Sequence, residues 1–195
     1  MIFNQLSFLA VILLGVTSIY LLVSQNWRTI ILALAVQYLG VFWLVGLVWP
    51  LSLAAVKLVV GWMAGAVLSA SQPSEDLLEE PRSGFSALAF RIVASVLIIA
   101  LIISATPTLI ERFPATRGAL QGGILLIGIG LLQLGMTTHP MRVILGLLTV
   151  LSGFEILYAS LEEAVLVAGL QAVINLGVAL VGAYLLAVSS MEKTS

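Results

Sequence analysis

Between Leu6 and Val23 the sequence carries no charged residue, and six further apolar runs of similar length follow it. No other feature limits the fold as strongly. About 20 residues of helix cross the roughly 30 Å of bilayer hydrocarbon, where every backbone N–H and C=O must find its partner inside the chain. The runs are continuous, not alternating, and exceed the about 9–11 residues of a membrane strand. They therefore predict helices. Composition agrees, with 61% of residues hydrophobic and 9% charged, against about half and about a quarter in soluble domains. The expectation is an all-α, polytopic transmembrane protein of about seven helices.

Charges, prolines and polar clusters divide the runs into helices over about Gln5–Ser24, Thr29–Val48, Leu51–Ser71, Phe85–Ala105, Gly118–Met136, Val143–Ser160 and Ala164–Val188. No basic residue precedes the first run and no small-residue cleavage pattern follows it, so it reads as a retained helix and not a signal peptide. The tight turns after Val48 and Ser160 make the second and third helices, and the sixth and seventh, antiparallel neighbours. "SQPSEDLLEEPRSG" (71–84) holds four of the nine acidic residues and reads as an aqueous linker, while "TPTLIERFPATR" reads as an interfacial turn. Basic residues favour the cytoplasmic side of a membrane. With seven crossings, Arg28, Arg82, Arg91, Arg142 and Lys193 fall on one side and Arg112 and Arg117 on the other. That places the N-terminus outside, with the C-terminus, the basic loops at Arg28 and Arg142, and the linker in the cytoplasm of a plasma-membrane protein.

An internal repeat runs through this pattern. At an offset of 114, Arg28 meets Arg142, Ile30 meets Ile144, Leu34 meets Leu148 and Val36 meets Val150. The next helices continue the match, with Lys57 over Gln171, and Val59 and Val67 over valines. The layout predicts two three-helix units in the same orientation: residues 1–71 and 118–195, joined by the cytoplasmic linker 72–84 and a linking helix and turn over 85–117.

Two ionisable residues lie well inside helices, Lys57 and Glu155. Charges at membrane depth cost several kcal/mol and normally face protein or water. Lys57 lies about 9 Å along its helix from Leu51 at 1.5 Å per residue, within reach of snorkelling to the surface. Glu155, in "LTVLSGFEILYAS", has a stem too short for that. A carboxyl held between burial and a nearby ammonium can take and release protons near neutral pH, as a proton relay requires; the alternative is a static pair that fixes helix packing. Gln37, Gln133, Thr149, Gln171 and Asn175 are also at helical depth, and Gln37 joins Lys57, Glu155, Gln171 and Asn175 as a candidate for the proton path. Gln171 and Asn175, four apart, share a helix face and with Glu155 could line a hydrated path, or serve as interhelical hydrogen-bond partners. Glu162 and Glu163 read as solvated turn charges. The glycines of the fifth helix (Gly122, Gly123, Gly128, Gly130) predict close helix contacts.

Other classes are disfavoured. The formal net charge of -1 does not fit a nucleic-acid partner. The chain has no cysteine, which excludes disulfides and thiolate metal sites. His139 lacks metal-ligand company, and no nucleophile triad, phosphate loop or haem motif is visible, so neither a cofactor nor a metal is expected.

"GFEILYAS" resembles the G-[LF]-E-[LI]-[ML] signature in the second helix of the K subunit of complex I, shared with the small subunit of Mrp-type antiporters. The preceding basic segment and antiparallel third helix are similar too. Component E of hydrogenase-4-type complexes, which carries a duplicated K-like unit, resembles the chain over its whole length: "VQYLGVFWL" and Lys57 in the first unit, "QAV" in the last helix. The resemblance implies a proton-path role for Glu155 and Lys57 and partnership with larger antiporter-like subunits and a peripheral redox module. The chain would then be a non-catalytic membrane-arm subunit of an ion-translocating oxidoreductase. Two positions depart from the pattern: the acid of the last helix is Gln171, and the first-unit equivalent of Glu155 is apolar (Val41 or Phe42). A stand-alone small transporter or an assembly scaffold is the alternative reading.

Overall fold

The computed structural model describes residues 2–71 and 85–194, and the expected linker over 72–84 lies outside the described residues. It contains seven helices and, among the described residues, no strand: α1 (Ile2–Val23), α2 (Trp27–Gly46), α3 (Leu51–Ala70), α4 (Phe85–Ile110), α5 (Arg117–Gly135), α6 (Pro140–Ala159) and α7 (Val165–Thr194). Six of them, α2 to α7, are long and apolar enough to cross a membrane, and α1 adds the shorter apolar stretch Ser7–Val23. The chain is a multi-pass membrane protein.

Local chemistry sets most of the boundaries. Asn26 caps α2 by accepting from the Arg28 N–H at 3.0 Å, and Thr116 caps α5 by accepting from the Ala119 N–H at 3.3 Å. Both side chains satisfy donors that a helix start leaves open. Pro140 opens α6, where its missing N–H is no loss. The expected turn from Thr106 begins later than the sequence implied, because α4 continues through Pro107 to Ile110. Proline removes a single donor to the preceding turn; unwinding in an apolar surrounding would strand several more backbone groups. α7 likewise continues past Val188, to Thr194.

The helices form two rows. Within one row α1 packs on α2 and α2 on α3; within the other α5 packs on α6 and α6 on α7. Between rows α1 lies against α5, α2 against α6 and α3 against α7, while α4 covers α5 and the edge of α1. Facing helices run in the same direction. Ser7 meets Gly118 while Leu14 meets Gly122, and Lys57 meets Gln171 while Leu68 meets Gly182. Four of the hydrogen bonds between the rows join residues 111 to 114 positions apart. A two-fold axis along the helices would have set α1 against α7. Instead the second row lies over the first in the same order, so non-equivalent faces meet: Gln37 of α2 binds Thr149 of α6, whereas its own equivalent is Leu151.

Small residues bring α5 and α6 together. A Cβ on Gly153 would sit 2.5 Å from the Gly123 carbonyl oxygen, and one on Gly130 would sit 3.0 Å from the Gly146 oxygen and 2.7 Å from Val150. Close backbone approach of this kind is how membrane helices gain packing energy where lipid and side chain are equally apolar. Gly130→Ala should therefore destabilise the bundle by about 1–3 kcal/mol through overpacking. Gly177→Ala, with no atom within 4 Å of the new methyl, should be neutral or stabilise by up to about 1 kcal/mol through helix propensity. Thermal unfolding of the two variants in one detergent checks the contrast.

Candidate functional site

Lys57, on α3, does not snorkel. It is 1% exposed, and its Nζ turns inward to Glu155 Oε1 of α6 at 3.2 Å. The ammonium also donates to Gln171 Oε1 at 2.5 Å and to the Ala168 carbonyl at 3.5 Å, both on α7. Asn175 Nδ2, one helical turn beyond Gln171, donates to the same Glu155 oxygen at 2.7 Å. All four side chains are buried. One cation, one anion and two amides thus meet where α3, α6 and α7 converge.

The cluster is incompletely satisfied. Glu155 Oε2, Gln171 Nε2, Asn175 Oδ1 and the Tyr38 hydroxyl of α2 are buried without a hydrogen-bond partner. Buried polar atoms are ordinarily paired, with protein or with ordered water. Four unpartnered atoms on α2, α6 and α7 mark a place suited to internal water. Sequence reasoning missed Tyr38. Its signal was indirect: the ring lies over Gly61, where any Cβ would collide with it, and Gly61 is the equivalent of Asn175 at the repeat offset.

Gln37 belongs to a different set. Its Nε2 donates to Thr149 Oγ1 at 3.3 Å and its Oε1 accepts from Ser18 Oγ at 3.4 Å, joining α1, α2 and α6 in the interior. Arg142 differs most from expectation. It is not a loop residue but lies in the first turn of α6, 4% exposed, donating to the Leu22 carbonyl at 3.2 Å and the Ser24 carbonyl at 2.8 Å. Arg91 of α4 reaches the same Leu22 carbonyl at 3.3 Å. Two guanidiniums thereby hold the C-terminal carbonyls of α1, which a helix end leaves open and which favour positive charge. Gln133 Nε2 in turn donates to the Arg142 carbonyl at 2.9 Å. Arg28 begins α2 at the surface, its guanidinium 5.4 Å from the Trp27 ring centre. Glu162 and Glu163 are exposed in the α6–α7 turn, where the Glu162 carbonyl accepts from Trp49 Nε1 at 3.3 Å.

Buried polar side chains therefore recur along α6 at Arg142, Thr149 and Glu155, about 9 to 11 Å apart at 1.5 Å per residue. Each meets partners from other helices. No group of three or more metal-ligating side chains occurs among the described residues. Comparison with protein-family models, curated proteins and solved structures finds no match.

Removing one member of a buried ion pair strands the other, at a typical cost of about 3–5 kcal/mol. Lys57→Met should destabilise the protein on that scale. Adding Glu155→Gln should recover much of the loss, making the double variant more stable than the sum of the single effects. A double-mutant cycle on denaturation midpoints measures the coupling.

Proposed function

We propose that this chain is a non-catalytic membrane-arm subunit of an ion-translocating assembly of the complex I or hydrogenase-4 type, and that the Lys57–Glu155 cluster is part of its ion path. The observation that carries the reading is the buried pair itself, an ammonium and a carboxylate 3.2 Å apart among apolar helices, surrounded by unpartnered polar atoms. A clasp that served packing alone would be expected to satisfy every atom it buries. The sets around Thr149 and Arg142 extend a polar interior towards the other end of α6, in keeping with a path that continues beyond one cluster. Larger antiporter-like subunits would cover the bundle in the membrane, and a peripheral redox module would supply the energy.

The Glu155→Gln chain keeps size and hydrogen-bonding capacity but cannot bind the relayed proton. It should assemble normally and lose most proton uptake, and Glu155→Asp should retain part of it. Uptake into vesicles holding equal amounts of assembled complex decides the matter. Pumping at the wild-type rate by Glu155→Gln would assign the pair to packing, the role that the pairing of Lys57 with an amide at 171, and not a second acid, favours.

For orientation we infer an outside N-terminus and cytoplasmic C-terminus in the plasma membrane, from the five-to-two distribution of basic residues. A cysteine introduced as Ser74→Cys should resist a membrane-impermeant thiol reagent applied to sealed cells and react once the cells are opened.

A further inference from the structure

A lysine ammonium has three N–H donors and no acceptor. Lys57 Nζ has three oxygens around it: Glu155 Oε1 at 3.2 Å, Gln171 Oε1 at 2.5 Å and the Ala168 carbonyl at 3.5 Å. There is one acceptor for each donor. The oxygens are of three kinds, a carboxylate, a side-chain amide and a main-chain carbonyl, contributed by α6 and α7, whereas the nitrogen comes from α3 in the other row. Taken without the lysine they form a small dehydrated seat with a single negative charge. Oxygen dipoles of this kind replace the hydration shell of monovalent cations in selective pores, and an ammonium carries the same charge as an alkali ion. The remaining polar atoms do not point to a second cation. Asn175 already donates to Glu155 Oε1, and two of the unpartnered atoms, Gln171 Nε2 and the Tyr38 hydroxyl, are donors or can act as such.

We propose that the three-oxygen seat is a monovalent-cation site whose resident is the chain's own Lys57 ammonium, a tethered ion that excludes Na+ and K+. The consequence for transport rests on the ion-path reading above: with the seat filled, the ion exchanged at this cluster is a proton. A hydronium ion gives it to Glu155 Oε2, the carboxylate oxygen without a donor: one O–H bond of the hydronium breaks as the carboxyl O–H forms, leaving a water and a neutral acid. The proton leaves by the reverse step.

The seat can be tested without assaying transport. Lys57→Ala removes three methylenes and the ammonium, which are the atoms of propylammonium. Purified full-length chain in detergent is unfolded thermally at constant ionic strength in sodium, potassium or choline chloride, with and without propylammonium chloride. The wild-type midpoint should be the same in all three salts and unaffected by propylammonium. Lys57→Ala should unfold at lower temperature and regain stability saturably with propylammonium, as a ligand of the folded state does. The double variant Lys57→Ala/Glu155→Gln, which keeps the vacated space but not its charge, should not respond. Specific stabilisation of the wild-type chain by sodium or potassium would overturn the proposal, and that measurement stands even if Lys57→Ala does not fold. So would an absent response in folded Lys57→Ala, or an equal response in the double variant. Alkali stabilisation of the wild type would end the tethered-ion assignment while leaving an ion path open to Na+. Unchanged pumping by Glu155→Gln would end the ion path while leaving the seat intact.

Discussion

An ammonium and a carboxylate sealed inside an apolar bundle are tolerable only together. Each alone would cost several kcal/mol of lost hydration, and their attraction compensates only when the geometry is close and the remaining donors find acceptors. Lys57 and Glu155 meet that condition by coming from opposite rows, α3 of the first and α6 of the second. The contact requires the rows to lie at one relative height, because a shift by a single helical turn, about 5.4 Å, would part the charges. The glycine contacts between α5 and α6 and the arginines on the end of α1 hold the helices that present them. The charge pair in turn fixes how the two rows register.

The same geometry accounts for the asymmetry between the units. At positions related by 114, the first unit has Tyr38, Val41, Lys57 and Gly61 where the second has Ser152, Glu155, Gln171 and Asn175. Equivalent helices stand side by side, so the eight positions serve a single interior and need not each carry the full chemistry. The first unit supplies the cation and the large ring; the second supplies the anion and the amides. Where the resemblance to K-like subunits leads one to expect a second acid, Gln171 touches Lys57 directly. A carboxylate there would set two anions about one ammonium. An amide accepts the hydrogen bond without adding charge.

Much of the fold was legible from residues alone. Uncharged runs of membrane length can become little but helices, since hydrocarbon offers the backbone no other partners; hence α1 to α7 occur where the runs occur. The repeat offset was visible in Arg28 and Arg142, although those two arginines differ in environment, one at the surface and the other buried on the carbonyls of α1. Sequence could not separate them, because the difference depends on which helix end lies nearby. The extension of α4 beyond Ala105 was hidden for a related reason: Pro107 signals a helix end in water more strongly than in an apolar surrounding.

For the site, the sequence by itself determined that Lys57 and Glu155 are charges inside apolar helices and that Gln171 and Asn175 share a face. Spacing along one helix decides such matters. It could not determine that the row order repeats without reversal, that Gln37 joins Ser18 and Thr149 instead of the charged cluster, or that Tyr38 reaches the same interior. Those relations link residues more than 100 positions apart or on different helices, and only the packing of the rows brings them within hydrogen-bonding distance. Apolar helices slide past one another with little change in hydrophobic energy, so pattern leaves their relative height open. A pair of charges and a few glycines, acting at contact distance, settle it.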